Sequence, residues 1–122
     1  NTSIAPGLLI AWLDEEIKCK NLFERIGKMI ELGDAFIVLQ GGTGTLTELA
    51  VTWELLMKGF TNEKPLILLG DYWKELVEKL DRDNRITDAE HPRYKGKGPS
   101  DYISFVISVD EAINLLKKFF NQ

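Results

Sequence analysis

The sequence predicts an α/β fold with a parallel sheet covered by helices, and three observations predict it. Segments of helical period alternate along the chain with short, wholly apolar runs, the pattern of a sheet whose strands are joined through helices. The runs Ala35–Leu39 and Leu66–Leu69 lack the in-out alternation of a half-exposed strand, so they read as strands buried on both faces. A glycine-rich turn joins the first of these runs to a helix, which is where parallel α/β sheets place their ligands. Together these give a Rossmann-like, three-layer parallel sheet flanked by helices.

The elements follow in order. Asn1 to Leu13 holds an apolar patch, Leu8-Leu9-Ile10-Ala11-Trp12, which periodicity leaves open between a short strand and the approach to a helix. Leu22, Ile26, Met29 and Ile30 recur at helical spacing, so a helix is expected over Asn21–Leu32, with Gly33 at its C-terminal cap. The strand 35–39 and the glycine loop come next. A second helix carries Leu46, Leu49, Ala50, Trp53, Leu56 and Met57 on one face and ends at Gly59. Pro65 opens the next strand, and Asp71 caps a third helix over Tyr72–Leu80. The polar stretch Asp81–Asp101, with Pro92, Gly96, Gly98 and Pro99, reads as a long loop. Ile103–Ile107 forms a last strand, and Ser108 begins a last helix through Phe120.

Length and composition bound the rest. At 122 residues with 44 % hydrophobic content, the chain suits one domain, 1–122, with its own core. The net charge of -4 argues against nonspecific nucleic-acid binding, which needs a basic surface. Cys19 and His91 are the single cysteine and histidine. No internal disulfide or zinc cluster can be built from them, and no metal is expected. No apolar run approaches the roughly 20 residues of a membrane span, and no leader-like start is present. A cytoplasmic protein without membrane contact is the expectation. The chain begins at Asn1 rather than Met, so processing or a start inside a longer sequence are both open.

The loop Gly41-Gly42-Thr43-Gly44-Thr45 carries the strongest chemical signal. Glycines let backbone N–H groups approach an anion, and the following helix directs its free N–H groups and positive dipole end at the same point. Thr43 and Thr45 add hydroxyls. A phosphate-bearing nucleotide is therefore expected here, against the plainer reading of a turn that needs glycine for geometry alone. Two other phosphate loops are excluded. Gly44 is followed by Thr45 and Leu46 where a P-loop has Lys and then Ser or Thr, and a G-x-G-x-x-G pattern starting at Gly42 meets Thr47 at its third glycine.

Glu48 has two readings. Thr45-Leu46-Thr47-Glu48 fits a capping box, with Glu48 reaching back to a backbone N–H. Alternatively, its carboxylate stabilises positive charge growing on a ribose ring or positions water for attack, as glycosidic cleavage requires. Arg25, about one turn after Leu22, is either a snorkelling surface side chain or a fork of donors for phosphate or base.

Glu24-Arg25, Asp34–Leu39 and Gln40-Gly41-Gly42-Thr43-Gly44-Thr45-Leu46-Thr47-Glu48 resemble the Lonely Guy type family, formerly labelled lysine decarboxylases. Pro65–Gly70 followed by Asp71-Tyr72-Trp73 is similar to it as well. The hallmark of that family is a P-G-G-x-G-T-x-x-E loop after a helix that carries an arginine. The resemblance implies a Rossmann-like fold, a homodimer, and hydrolysis of the N-glycosidic bond of nucleoside 5'-monophosphates such as AMP to free base and ribose 5-phosphate, with no cofactor. It implies Glu48 as the catalytic carboxylate, Arg25 as its partner, and Gly41, Gly42, Thr43, Gly44 and Thr45 as the phosphate cradle. The similar molybdenum-cofactor carrier proteins use the fold for binding alone. The chain departs from the pattern in having Gln40 for the loop's proline and Ile26 for a lysine. The resemblance also implies that the chain begins after the family's usual first strand-helix unit, so residues 1–122 are expected to be the C-terminal two-thirds of the family domain.

Three expectations compete: a phosphoribohydrolase using Arg25 and Glu48, a nucleotide- or cofactor-binding protein without turnover, and a partial domain whose role is assembly. Lysine decarboxylation finds no pyridoxal-phosphate lysine site. Trp12, Trp53, Trp73 and the six phenylalanines read as core or interface anchors. His91, the run Arg93, Tyr94, Lys95 and Lys97, and Cys19 between two lysines read as ordinary loop and surface residues.

Overall fold

A computed structural model describes residues 8–10, 21–88 and 98–121, with side chains placed for 21–83 and 98–121. The elements are β1 (Leu8–Ile10), α1 (Leu22–Leu32), β2 (Ala35–Val38), α2 (Thr43–Met57), β3 (Leu66–Leu69), α3 (Lys74–Asp88), a 3-10 turn (Pro99–Tyr102), β4 (Ser104–Val106) and α4 (Val109–Phe120). The four strands form one parallel sheet in sequence order, β1-β2-β3-β4. Ile37 stands beside Ile10 and Ile67, and Leu68 beside Phe105. The apolar patch near the N-terminus is thus a strand over Leu8–Ile10.

Strand order fixes where the helices go. Each strand-to-strand connection moves one place in the same direction, and right-handed crossovers then put every connecting helix on the same face. The side chains agree. Phe36, Val38, Leu66 and Leu68 pack with Ile26, Met29 and Ile30 of α1, Leu49, Trp53 and Leu56 of α2, and Val77 of α3. The alternate residues Ile37 and Ile67, with Val106, pack on the other face against Ala112 of α4, flanked by Leu115 and Leu116. Among the described residues there are three layers, with three helices on one face of the sheet and α4 on the other, so the expected parallel α/β class holds. All four residues of β2 are buried, as the uninterrupted apolar run required. Burying each large aliphatic side chain contributes about 1.5–3 kcal/mol.

Local chemistry sets most boundaries. The Asn21 side chain accepts from the Glu24 N–H at 2.9 Å and starts α1, and Ser108 starts α4 by accepting from the Glu111 N–H at 3.1 Å. Gly33 closes α1, its N–H donating to the Met29 carbonyl. Gly59, at φ +72°, turns the chain out of α2. Two expectations need correction. The third helix begins at Lys74 and runs to Asp88, so 81–88, expected as loop, is helical. That stretch has no glycine or proline. Over 74–83 the helix is largely exposed and carries an i,i+4 pair, Lys79 to Asp83 at 3.2 Å. Trp12, Cys19, His91, Arg93, Tyr94, Lys95 and Lys97 lie outside the described residues. Of the phenylalanines, Phe36 is core, whereas Phe23, Phe60 and Phe120 are exposed. No described helix is long and apolar enough to cross a membrane.

Candidate functional site

The C-terminal edge of the sheet gathers the residues that the sequence singled out. Strand β2 leaves the sheet at Val38, and after four intervening residues α2 begins at Thr43. The N-terminus of α2 therefore sits at that edge. Because α1 runs back into β2, its own N-terminal turn, which carries Arg25, lies at the same edge. Helices α1 and α2 share one face and touch. Topology thus brings Arg25, the glycine loop and Glu48 to one end and one side of the sheet.

The first turn of α2 is arranged differently from those of α1 and α4. Its N-cap is Gly42, which has no side chain to accept from the first N–H groups, and its first turn holds no acidic residue. The first turns of α1 and α4 have both a side-chain cap and acidic residues. The leading amides of α2 thus keep the partial positive charge of a helix start without a neutralising group from their own turn. Thr43 is exposed and Thr45 is half-buried. The Thr47 hydroxyl is turned away into the helix, donating to the Thr43 carbonyl at 2.8 Å.

The glycines divide into two kinds. At Gly41 a Cβ would lie 2.2 Å from Oγ1 and 2.8 Å from Cβ of Thr45. Only glycine fits there, because the loop folds directly against Thr45. At Gly42 and Gly44 a Cβ would meet nothing within 4 Å. Neither has a positive φ, and among the described residues no atom stands where a side chain would point. The purely geometric reading of the glycine loop accounts for Gly41 and leaves Gly42 and Gly44 facing open space.

Glu48 does not act as a capping residue. With the helix starting at Thr43 rather than after Thr45, Glu48 lies in the second turn, too far along to reach the N-cap. It is instead buried at 5 % exposure, one of two buried polar side chains among the described residues. The other, Thr52, donates to the Glu48 carbonyl at 2.7 Å. Arg25 is half-buried; its Nε and the Oε2 of Glu48 are both withdrawn from solvent. Both are more enclosed than a snorkelling arginine and a capping glutamate require. Ile26, where the related pattern has a lysine, is 3 % exposed and packs into the main cluster. Gln40 is exposed at the start of the loop.

Two indole hydrogen bonds join distant parts of the fold, the second of them at the entry to the glycine loop, and sequence reasoning anticipated the burial of both rings but not their partners. Trp53 Nε1 donates to the Pro99 carbonyl at 2.8 Å, and Trp73 Nε1 donates to the Leu39 carbonyl at 3.0 Å. They span 46 and 34 residues, separations at which periodicity carries no signal. A cavity of about 460 Å³ lies along α2, lined by Ala50, Val51, Trp53, Glu54, Leu55, Met57 and Leu80. It is mainly apolar and does not include the glycine loop. Among the described residues no group of three His, Cys, Asp or Glu side chains is placed to hold a metal ion.

Comparison with known proteins bears on this arrangement. Residues 10–118 match the family described as "Possible lysine decarboxylase". The chain is 42 % identical over 65 residues to a protein of Rhodococcoides fascians named cytokinin riboside 5'-monophosphate phosphoribohydrolase, covering 50 % of this chain and 31 % of that protein. It is 43 % identical over 60 residues to a Mycobacterium tuberculosis (strain ATCC 25618 / H37Rv) protein of the same name, covering 49 % of this chain and 31 % of the relative. The match thus spans about a third of the length of these curated relatives. With the family match running across nearly all of its parallel α/β core, the chain belongs to the possible lysine decarboxylase family, the Lonely Guy type proteins.

Proposed function

We propose that this chain binds a nucleoside 5'-monophosphate such as AMP, with its phosphate on the first turn of α2, and hydrolyses the N-glycosidic bond. The observation that carries the reading is the open space at Gly42 and Gly44 in front of a helix start that has no side-chain cap. Glycine inside a helix costs up to about 1 kcal/mol relative to alanine. A bound phosphate that must approach the backbone gives that cost a purpose. The names of the two relatives support the same substrate class.

In this reaction the bond from the base nitrogen to C1' of the ribose breaks, water supplies a hydroxyl to C1', and the water's remaining proton balances the departing base. The ring passes through an oxocarbenium-like state. Glu48 is the carboxylate that stabilises this charge or orients the water, and its burial raises the strength of both effects by lowering the local dielectric. Arg25 supplies a fork of donors to the phosphate or the base. Gly41, Gly42, Thr43, Gly44 and Thr45 hold the phosphate. The expected assembly is a homodimer and the expected compartment the cytoplasm.

A second reading, nucleotide or molybdenum-cofactor-like binding without turnover, draws support from Ile26. Its burial in the core means that this position contributes no charge to the site, unlike the lysine of the related pattern. One experiment separates the two. Purified protein is incubated with AMP and assayed by chromatography for adenine and ribose 5-phosphate, with Glu48→Ala alongside. Products from the wild type and none from the variant are expected. Intact AMP together with a raised melting temperature would transfer the protein to the binding class, and equal turnover by the variant would remove Glu48 from the mechanism.

A further inference from the structure

We propose that Trp73 is a positioning residue for the glycine loop, holding it from the neighbouring strand-helix unit. Its bearing on turnover rests on the nucleotide reading above; its role as an anchor does not. Strand β3 ends at Leu69, and Gly70, at φ +89°, turns the chain across the edge of the sheet. The Gly70 N–H donates to the Val106 carbonyl at 2.8 Å, which ties this turn to β4. Three residues on, the Trp73 ring is 8 % exposed within the main cluster, and Tyr72 meets it edge-on at 4.8 Å between centroids. From there Nε1 reaches the part-buried Leu39 carbonyl at 3.0 Å.

Leu39 is the residue at which the chain leaves β2 for the glycine loop. Among the described residues, the four from Leu39 to Gly42 are held at three points. Gly41 rests against Thr45, and the Gly42 carbonyl accepts from the Leu46 N–H at 3.0 Å. Both of those contacts come from α2 itself, so they move with the loop. The Trp73 bond is the one of the three that comes from outside the β2-α2 unit, and it fixes the loop against the sheet edge formed by β3 and β4. A neutral hydrogen bond of this kind contributes modestly to overall stability, but a carbonyl deprived of its partner in a part-buried site has to open toward water. Opening at Leu39 swings the amides at Gly41, Gly42 and Thr43 away from a common point, which is the geometry that anion binding needs.

The test uses Trp73→Phe, which keeps a ring against Tyr72 and removes the donor. Trp53→Phe is the control, because it removes an indole bond of similar length to Pro99 from the same cluster. Backbone 15N order parameters are measured at Gly41, Gly42 and Thr43 in the full chain without ligand. They are expected to fall from the rigid range of about 0.85 toward about 0.6 in Trp73→Phe and to stay at the wild-type value in Trp53→Phe, although both variants melt earlier. With AMP as probe, Trp73→Phe should raise KM and lower kcat together, while Trp53→Phe leaves both near wild type. Wild-type order parameters in Trp73→Phe, or an equal fall in both variants, overturn the anchoring role. Lowered order parameters with unchanged AMP kinetics overturn its bearing on turnover. A wild-type protein that ignores AMP refutes the nucleotide reading instead, and the order-parameter comparison still decides the anchor.

Discussion

Replacing Gly44 with alanine sets stability and ligand binding against each other. Gly44 lies in the first turn of α2, is exposed, and presents open space where a Cβ would stand. Alanine there meets no clash. It gains helix propensity and loses unfolded-state entropy, together about 0.5–1 kcal/mol, with the first-turn position taking the lower part of that range. For a domain of this size, that gain raises the melting temperature by about 2–4 °C. If the phosphate rests on the first turn of α2, the same methyl group stands where the anion approaches the backbone. AMP affinity should then fall at least about tenfold, which corresponds to about 1.4 kcal/mol. Calorimetric melting and titration with AMP read the two effects on the same samples. A variant that melts higher and binds AMP as tightly as the wild type would show that no ligand occupies this space. A variant that melts lower would overturn the unstrained helical geometry assigned to residue 44.

Two further substitutions test other parts of the argument. Gly41→Ala drives a methyl group into Thr45, and overpacking of this kind should cost about 1–3 kcal/mol; urea unfolding that finds less than about 0.5 kcal/mol would mean that the loop does not lie against Thr45. Ile67→Ala should cost about 3 kcal/mol, because Ile67 is fully buried between strands and α4 with Ile37, Val106 and Ala112; a loss below about 1 kcal/mol would deny that this second face is a packed core.

Some of the molecule could be read directly from the chain. The run 35–39 announced a strand buried on both faces because nothing polar interrupts it, and β2 is buried throughout. Apolar residues at helical spacing announced a helix over 21–32, and Ser108 announced the start of the last helix; the structure adds that the side chains of Asn21 and Ser108 both cap these starts. Local pattern misled at two helix boundaries. The threonine before Leu46 looked like a cap, but the helix had already begun at Thr43. The polar residues after Leu80 looked like loop, but through Asp88 they form the later turns of a helix. In both cases a local run of polar residue types is compatible with a helix interior as well as with its end or a loop.

The chemistry divides along the same line. The residue types of the glycine loop, with an arginine on one helix and a glutamate on the next, are legible in the sequence. Their gathering at one edge and one face is not. It follows from strand order and from the handedness of the crossovers, which place α1 and α2 side by side. The sequence alone could not say which glycine is required by internal packing, since the near-contact of Gly41 with Thr45 exists only once the loop is folded. Nor could it reveal that Trp73 holds Leu39 from 34 residues away. Periodicity in a sequence records which side of an element meets water, a local property repeated every few residues. A hydrogen bond between distant units is made once, by the three-dimensional path of the backbone, and leaves no repeat to read.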